Sequence, residues 1–169
     1  MPNFTINDAL KQGIEAHKAG RIQEADSFYT AILNAQPEHP DANHNMGALA
    51  VGIGKLEDAL PFFKKALDSN PTVNQYWLSY AEALIKLKRF DEATKNLQSV
   101  IKKQPDFLEA HYNLGILHTQ NGSLNEAMAS YKRALEIQPN YAEAHYNLGN
   151  IYKEKEQPDN ALEHYRIAV

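Results

Sequence analysis

The sequence contains no cysteine, so a disulfide framework and every cysteine-ligated metal site are excluded at once. No apolar run is long enough to cross a bilayer, and the opening MPNFTINDALKQG lacks the apolar stretch of a secretory signal, so a cytoplasmic location is expected. An excess of positive charge is also missing. Seventeen Lys and Arg stand against twenty-one Asp and Glu, a formal charge of −4 with the two signs intermixed. A nucleic-acid partner is therefore not expected, because neutralising phosphates needs a basic stripe. The Lys102–Lys103 pair is instead expected to close a helix, where cations suit the negative end of the dipole. Glycine is sparse, at eight residues in 169, and there is one tryptophan.

What the chain does have is a period. Proline recurs at positions 37, 71, 105 and 139, and alanine at 25, 59, 93, 127 and 161. The small residues Gly13, Gly47, Ala81, Gly115 and Gly149 keep the same step of 34. Such a period signals a solenoid, in which one unit cannot bury its apolar face alone and stacked neighbours complete the core. A frame starting at Ile6 gives repeats 6–39, 40–73, 74–107 and 108–141 and a partial fifth at 142–169, all within one solenoid domain, 1–169. In the fourth copy Leu114, Gly115 and His118, then Leu124, Ala127, Tyr131, Ala134 and Leu135, follow spacings of three, four and seven. Those spacings predict two amphipathic helices, over 108–121 and 124–137. Gly122 separates them and Pro139 ends the second. The alanines at every 34th position are expected at close helix contacts.

The pattern resembles the tetratricopeptide repeat. That family carries a large residue at position 4, Leu-Gly at 7 and 8, Tyr at 11, Ala at 20, an aromatic at 24, Ala at 27 and Pro at 32. The match covers nearly the whole chain. The third copy departs furthest, with Trp77 kept but Tyr80–Ala81 in place of Leu-Gly and Leu97 in place of the aromatic. The resemblance implies an all-α fold, a right-handed α-solenoid of antiparallel helix pairs.

Both ends carry expectations. Thr5 with Asp8 three residues later looks like a capping box, so the first helix is expected to begin there with no repeat before it. Val169 falls before the fifth proline, which points to the N-terminal part of a longer protein or to an open edge that a partner covers. That edge is expected to present Leu162, Tyr165 and Ile167 or their neighbours and to invite association.

Little in the sequence suggests chemistry. Gly52-Ile53-Gly54-Lys55 resembles the end of a phosphate loop, but Leu56 stands where Ser or Thr should be, so a turn between helices is expected. His111 and His118 lie seven residues apart on one helical face, at repeat positions that pack, and no third ligand is in phase. Asn3-Phe4-Thr5 and Asn121-Gly122-Ser123 fit the glycosylation triplet but are read as a helix entry and a turn. No catalytic residue, metal or cofactor is expected, although a catalytic domain beyond residue 169 is compatible with this reading.

What remains is a binding surface. In this family the first helices of successive repeats line the concave face. Position 6 reads Lys11, Asn45, Ser79, Asn113 and Asn147, and an asparagine side chain can both donate to and accept from one peptide unit. The row is similar to the asparagine ladder of the tetratricopeptide domain of O-linked N-acetylglucosamine transferases. Position 5 adds Leu10, His44, Leu78, Tyr112 and Tyr146. The expected groove residues are therefore Asn45, Ser79, Tyr112, Asn113, Tyr146 and Asn147. The carboxylate clamp of chaperone-tail receptors is not matched. In one frame it would fall on Leu10, Ile14, Asn45, Gln75 and Ser79, and in the next on His44, Ala48, Asn113, Glu143 and Asn147, where Glu143 repels a carboxylate. The expected function is a non-catalytic scaffold that binds a protein or extended peptide in its groove, as the N-terminal recruitment module of a larger protein. The alternative is a structural scaffold that self-associates through its open C-terminal edge and convex face. Neither reading involves a membrane.

Overall fold

Thr5 starts the first helix. Its hydroxyl accepts from the Asp8 backbone N–H at 3.2 Å while the Asp8 carboxylate accepts from the Thr5 N–H at 3.0 Å, the reciprocal pairing that satisfies two orphan donors of a helix start. The structure, a computed structural model, describes residues 5–169. Asn3 and Phe4 of the first glycosylation triplet thus lie outside the described residues.

Ten helices and no strand are present among the described residues. They are α1 (Ile6–Lys18), α2 (Ile22–Ala35), α3 (Pro40–Gly52), α4 (Leu56–Ser69), α5 (Asn74–Lys86), α6 (Phe90–Lys103), α7 (Leu108–Gln120), α8 (Leu124–Ile137), α9 (Ala142–Glu154) and α10 (Pro158–Ile167). The odd-numbered helices begin at 6, 40, 74, 108 and 142, so the 34-residue period of the sequence is the period of the helix starts. α7 ends one residue before the expected 121, and Lys102–Lys103 close α6 as expected.

Each helix pair turns through one left-handed residue, at Gly20, Gly54, Lys88, Gly122 and Glu156, with φ between 56° and 79°. The next residue sends its N–H five positions back: Arg21 to Ala16, Lys55 to Ala50, Arg89 to Leu84, Ser123 to His118 and Gln157 to Tyr152, all at 2.8–2.9 Å. This closure satisfies the carbonyls left open at a helix end. Gly52–Lys55 is accordingly the turn that its sequence register predicts. Lys88 and Glu156 hold the same conformation with side chains attached, where L-residues are disfavoured by roughly 1–2 kcal/mol.

The junction between pairs is held by a different bond. After each proline, the side chain six residues on donates to the proline carbonyl. Asn43 Nδ2 reaches Pro37 at 2.9 Å, Trp77 Nε1 reaches Pro71 at 2.9 Å, His111 Nε2 reaches Pro105 at 2.8 Å and His145 Nε2 reaches Pro139 at 2.8 Å. A carbonyl only accepts, so both imidazoles carry their proton on Nε2. His111 is thus a junction donor.

Inside each pair, small residues on the first helix admit aromatic rings from the second. A Cβ added to Gly115 would stand 2.4 Å from Tyr131 Cε1, and one added to Gly47 would stand 2.8 Å from Phe63 Cε1. Gly13 with Tyr29 and Gly149 with Tyr165 repeat the arrangement at 2.6 and 2.5 Å. Tyr165 therefore lies over Gly149 and is half-buried, a correction to the expectation that it faces outward; Leu162 and Ile167 are exposed as expected. The 34-spaced alanines from Ala25 to Ala161 are all buried.

The packing divides between Ala93 and Thr94, inside α6, into two compact units. In the first, Ala16, Ala25 and Tyr29 of the opening pair pack with Met46 and Leu49 of α3, and Ile32 with Ala9 and Ala42. In the second, Ala127, Tyr131 and Ala134 of α8 pack with Ala144, Leu148 and Ile151 of α9. In both units a second helix buries its apolar stripe against the first helix that follows, as stacked repeats require.

Candidate functional site

The expected groove residues fall on both units. In the first unit, α1 carries an open cleft of about 410 Å³ lined by Asn7, Leu10, Lys11, Ile14, Glu15 and Lys18. On α3, Asn45 is half-buried and its amide has no hydrogen-bond partner among the described residues. Ser79 on α5 is not free. Its hydroxyl lies 2.9 Å from His44 Nε2 and accepts from Gln75 Nε2 at 3.2 Å. Beside it the Tyr76 hydroxyl donates to Asp41 at 2.5 Å, and the Tyr76 ring stacks on His44 with centroids 4.9 Å apart. Asp41, His44, Gln75 and Tyr76 are thus site neighbours that the position-6 row alone did not single out.

In the second unit, Tyr112 and Asn113 on α7 are half-buried, as is Asn147 on α9, while Tyr146 is 56% exposed. Asn147 Nδ2 donates to the Tyr112 hydroxyl at 3.3 Å, and the Tyr112 ring meets Tyr141 edge-on at 5.0 Å. This bond spans 35 residues, as does the His44–Ser79 contact, and both join position 5 of one repeat to position 6 of the next. Asn113, like Asn45, has no partner among the described residues. The structure therefore brings Tyr112 and Asn147 together, leaves the Asn113 amide without a partner, and sets the largely exposed Tyr146 ring against Tyr165 with centroids 5.9 Å apart.

Two histidines tie these helices to stability at mildly acidic pH. His44 titrates below the ordinary value of 6.5 because burial disfavours its charged form, an effect that Asp41 opposes. His164 titrates low because of burial first and then His145, with Glu163 opposing and Lys132 adding. The His145 Nε2 proton is committed to Pro139, so its Nδ1 accepts from His164 Nδ1 at 2.8 Å. A depressed folded pKa means that the unfolded chain binds the proton first. Stability is then full above about pH 6.5 and falls as pH drops through the folded values. Thermal melts at about pH 7.5 and 5.5 should show a lower Tm at the acidic value, and His44→Gln with His164→Gln should shrink the difference. An equal or higher Tm at acid pH would remove this linkage.

Among the described residues no cluster of three or more His, Cys, Asp or Glu could hold a metal ion, and no helix is long and apolar enough to cross a membrane. Models described as tetratricopeptide repeat match residues 10–74, 50–115 with 84–129, and 144–169, and one described as TPR repeat matches 117–156. The mouse Superkiller complex protein 3 is 34% identical over 115 residues, 68% of this chain and 7% of that protein. The peroxisomal targeting signal receptor of Kluyveromyces lactis is 27% identical over 103 residues, 60% of this chain and 18% of the receptor. The chain thus spans under a fifth of the length of these relatives. The crystal structure of MamA has a TM-score of 0.82 at 23% identity, covering 92% of this chain and 91% of MamA. YrrB, described as a TPR protein with an unusual peptide-binding site, has a TM-score of 0.76 at 23% identity, covering 99% of this chain and 86% of YrrB. At such identities the likeness speaks to the fold, an α-solenoid of helix pairs.

Proposed function

Because the chain belongs to the tetratricopeptide repeat family, we propose that it is a non-catalytic scaffold that holds a protein or extended peptide on the faces of its first helices, with the cytoplasm as its setting. The observation that carries this reading is that the first helix α7 holds an unpartnered amide, Asn113, while the first helix α9 holds Tyr146, which stays 56% exposed with its ring tilted against Tyr165. An exposed ring offers apolar area at small entropic cost, and an idle amide offers one donor–acceptor set for a peptide unit. Tyr112 and Asn147 belong to the same two helices, with Asn45 and Ser79 at the corresponding positions of the first unit. Asn147 still has its carbonyl oxygen to give, because only its Nδ2 is engaged with Tyr112. Recruitment on behalf of a larger protein fits the small share that the chain makes of its relatives.

The test is binding of a displayed peptide library to the chain and to Asn113→Ala with Asn147→Ala. Removing a ligand-paired buried amide costs roughly 1–3 kcal/mol, so the double variant should lose enrichment. Asn113→Ala should leave the melting temperature unchanged, whereas Asn147→Ala should lower it slightly through loss of the Tyr112 bond. Undiminished enrichment with the double variant would move the binding surface elsewhere.

Self-association is the second reading, supported by Leu162 at 54% and Ile167 at 45% exposure on α10. Exposed apolar side chains on one helix favour association. Sedimentation at high concentration separates the readings, since a strict monomer excludes this one.

A further inference from the structure

The turn between α7 and α8 carries a labile pair of residues. Asn121-Gly122 is the only Asn-Gly step in the sequence. At the corresponding helix ends the chain has Ala19, Ile53, Leu87 and Lys155, none of which bears a carboxamide. An asparagine followed by glycine is chemically fragile, because the next backbone nitrogen can attack the side-chain carbonyl carbon and glycine has no Cβ to obstruct the approach. Asn121 is exposed, and its carboxamide has no hydrogen-bond partner among the described residues.

The folded turn withholds the attacking nitrogen. Gly122 N–H donates to the Thr119 carbonyl at 3.0 Å, so its proton is engaged. Asn121 has a ψ of 1°, at which the Gly122 nitrogen eclipses the backbone nitrogen of Asn121. Ring closure needs it beside Cβ instead, roughly a third of a turn away about the Cα–C bond. Ser123 N–H then closes the turn on the His118 carbonyl at 2.8 Å. Nothing else locks it, since a Cβ added to Gly122 would meet no atom within 4 Å. Two backbone bonds in an exposed turn therefore hold the reaction back, and such turns open at small cost.

We propose that Asn121-Gly122 is a site of spontaneous deamidation gated by opening of this turn. When the turn opens, the Gly122 nitrogen gives up its proton and bonds to Asn121 Cγ, and the carboxamide nitrogen takes up a proton and leaves as ammonia. The product is a cyclic imide. Water then adds to one of its two carbonyls and the C–N bond there breaks. Cleavage at Cγ gives aspartate on the ordinary backbone, whereas cleavage at the backbone carbonyl gives isoaspartate, whose main chain is one carbon longer. Both products place a negative charge at the C-terminal end of α7, where the helix dipole disfavours it. The longer chain also takes the Thr119 and His118 closures out of register, so the modified turn stays open more of the time.

The full chain and a synthetic peptide of residues 117–127 are incubated in mildly alkaline buffer and followed by mass spectrometry with fragmentation. The chain should gain about one mass unit at Asn121, roughly tenfold or more slowly than the peptide. Urea below the unfolding transition should narrow that gap, and Asn121→Gln, whose longer side chain closes a ring reluctantly, should gain no mass there. Chain aged to isoaspartate should unfold at lower urea than fresh chain. A chain that ages as fast as the peptide, or whose rate ignores urea, overturns the gate. A chain unmodified at Asn121 while the peptide reacts overturns the site, and an unchanged urea midpoint after ageing overturns the effect on the second unit.

Discussion

Gly115→Ala should destabilise the second unit by about 1–3 kcal/mol, although alanine is the better helix former by about 1 kcal/mol. The reason is geometric. The added carbon would stand 2.4 Å from Cε1 and 2.6 Å from Cδ1 of Tyr131, a ring that is only 1% exposed and has nowhere to retreat. The third repeat carries Ala81 and Leu97 where the fourth carries Gly115 and Tyr131, so small-with-ring and larger-with-branched are the two combinations the chain uses. The combination Gly115→Ala with Tyr131→Leu should therefore cost less than the sum of its parts. A positive coupling on the order of 1 kcal/mol or more in urea unfolding would establish it. Simple additivity would show that the ring yields, contrary to the geometry.

Trp77→Ala should cost about 3–5 kcal/mol, the range for deleting a large aromatic from a core. Trp77 is 8% exposed, and its Nε1 donates to Pro71 at 2.9 Å. Trp77→Phe keeps most of the ring but leaves the Pro71 carbonyl without this donor, so about 1–3 kcal/mol should be lost. Urea unfolding followed by circular dichroism separates the two effects, since the only tryptophan is gone in both variants. If phenylalanine proves neutral, the junction is held by packing alone.

The helix pairs were legible because repetition multiplies weak signals. One Gly-to-Pro interval means little, but Gly20, Gly54 and Gly122 with Pro37, Pro71, Pro105 and Pro139 fix turns and ends together. The register also places a left-handed turn at Lys88 and Glu156, where residue type argues against one. The binding faces were less legible. Position 6 lines up Asn45, Ser79, Asn113 and Asn147, yet their availability depends on residues 35 positions away. Ser79 is engaged by His44, and Asn147 leans on Tyr112, whereas Asn113 is idle. Such differences come from which donor or acceptor the neighbouring repeat offers, and no single repeat contains that information. The junction donors were hidden for a related reason, since Asn43, Trp77, His111 and His145 share a function and no residue type.

That indifference to residue type has a consequence for how such an array changes over generations. The proline carbonyl asks only for an N–H at a fixed reach, and amide, indole and imidazole all supply it. A seam defined by one acceptor and any donor is a standard coupling. Each repeat can then drift in sequence without losing its grip on the one before. Loss or duplication of 34 residues also brings together two ends that already fit: removing 40–73 would set Trp77 in register with Pro37, where Asn43 now stands.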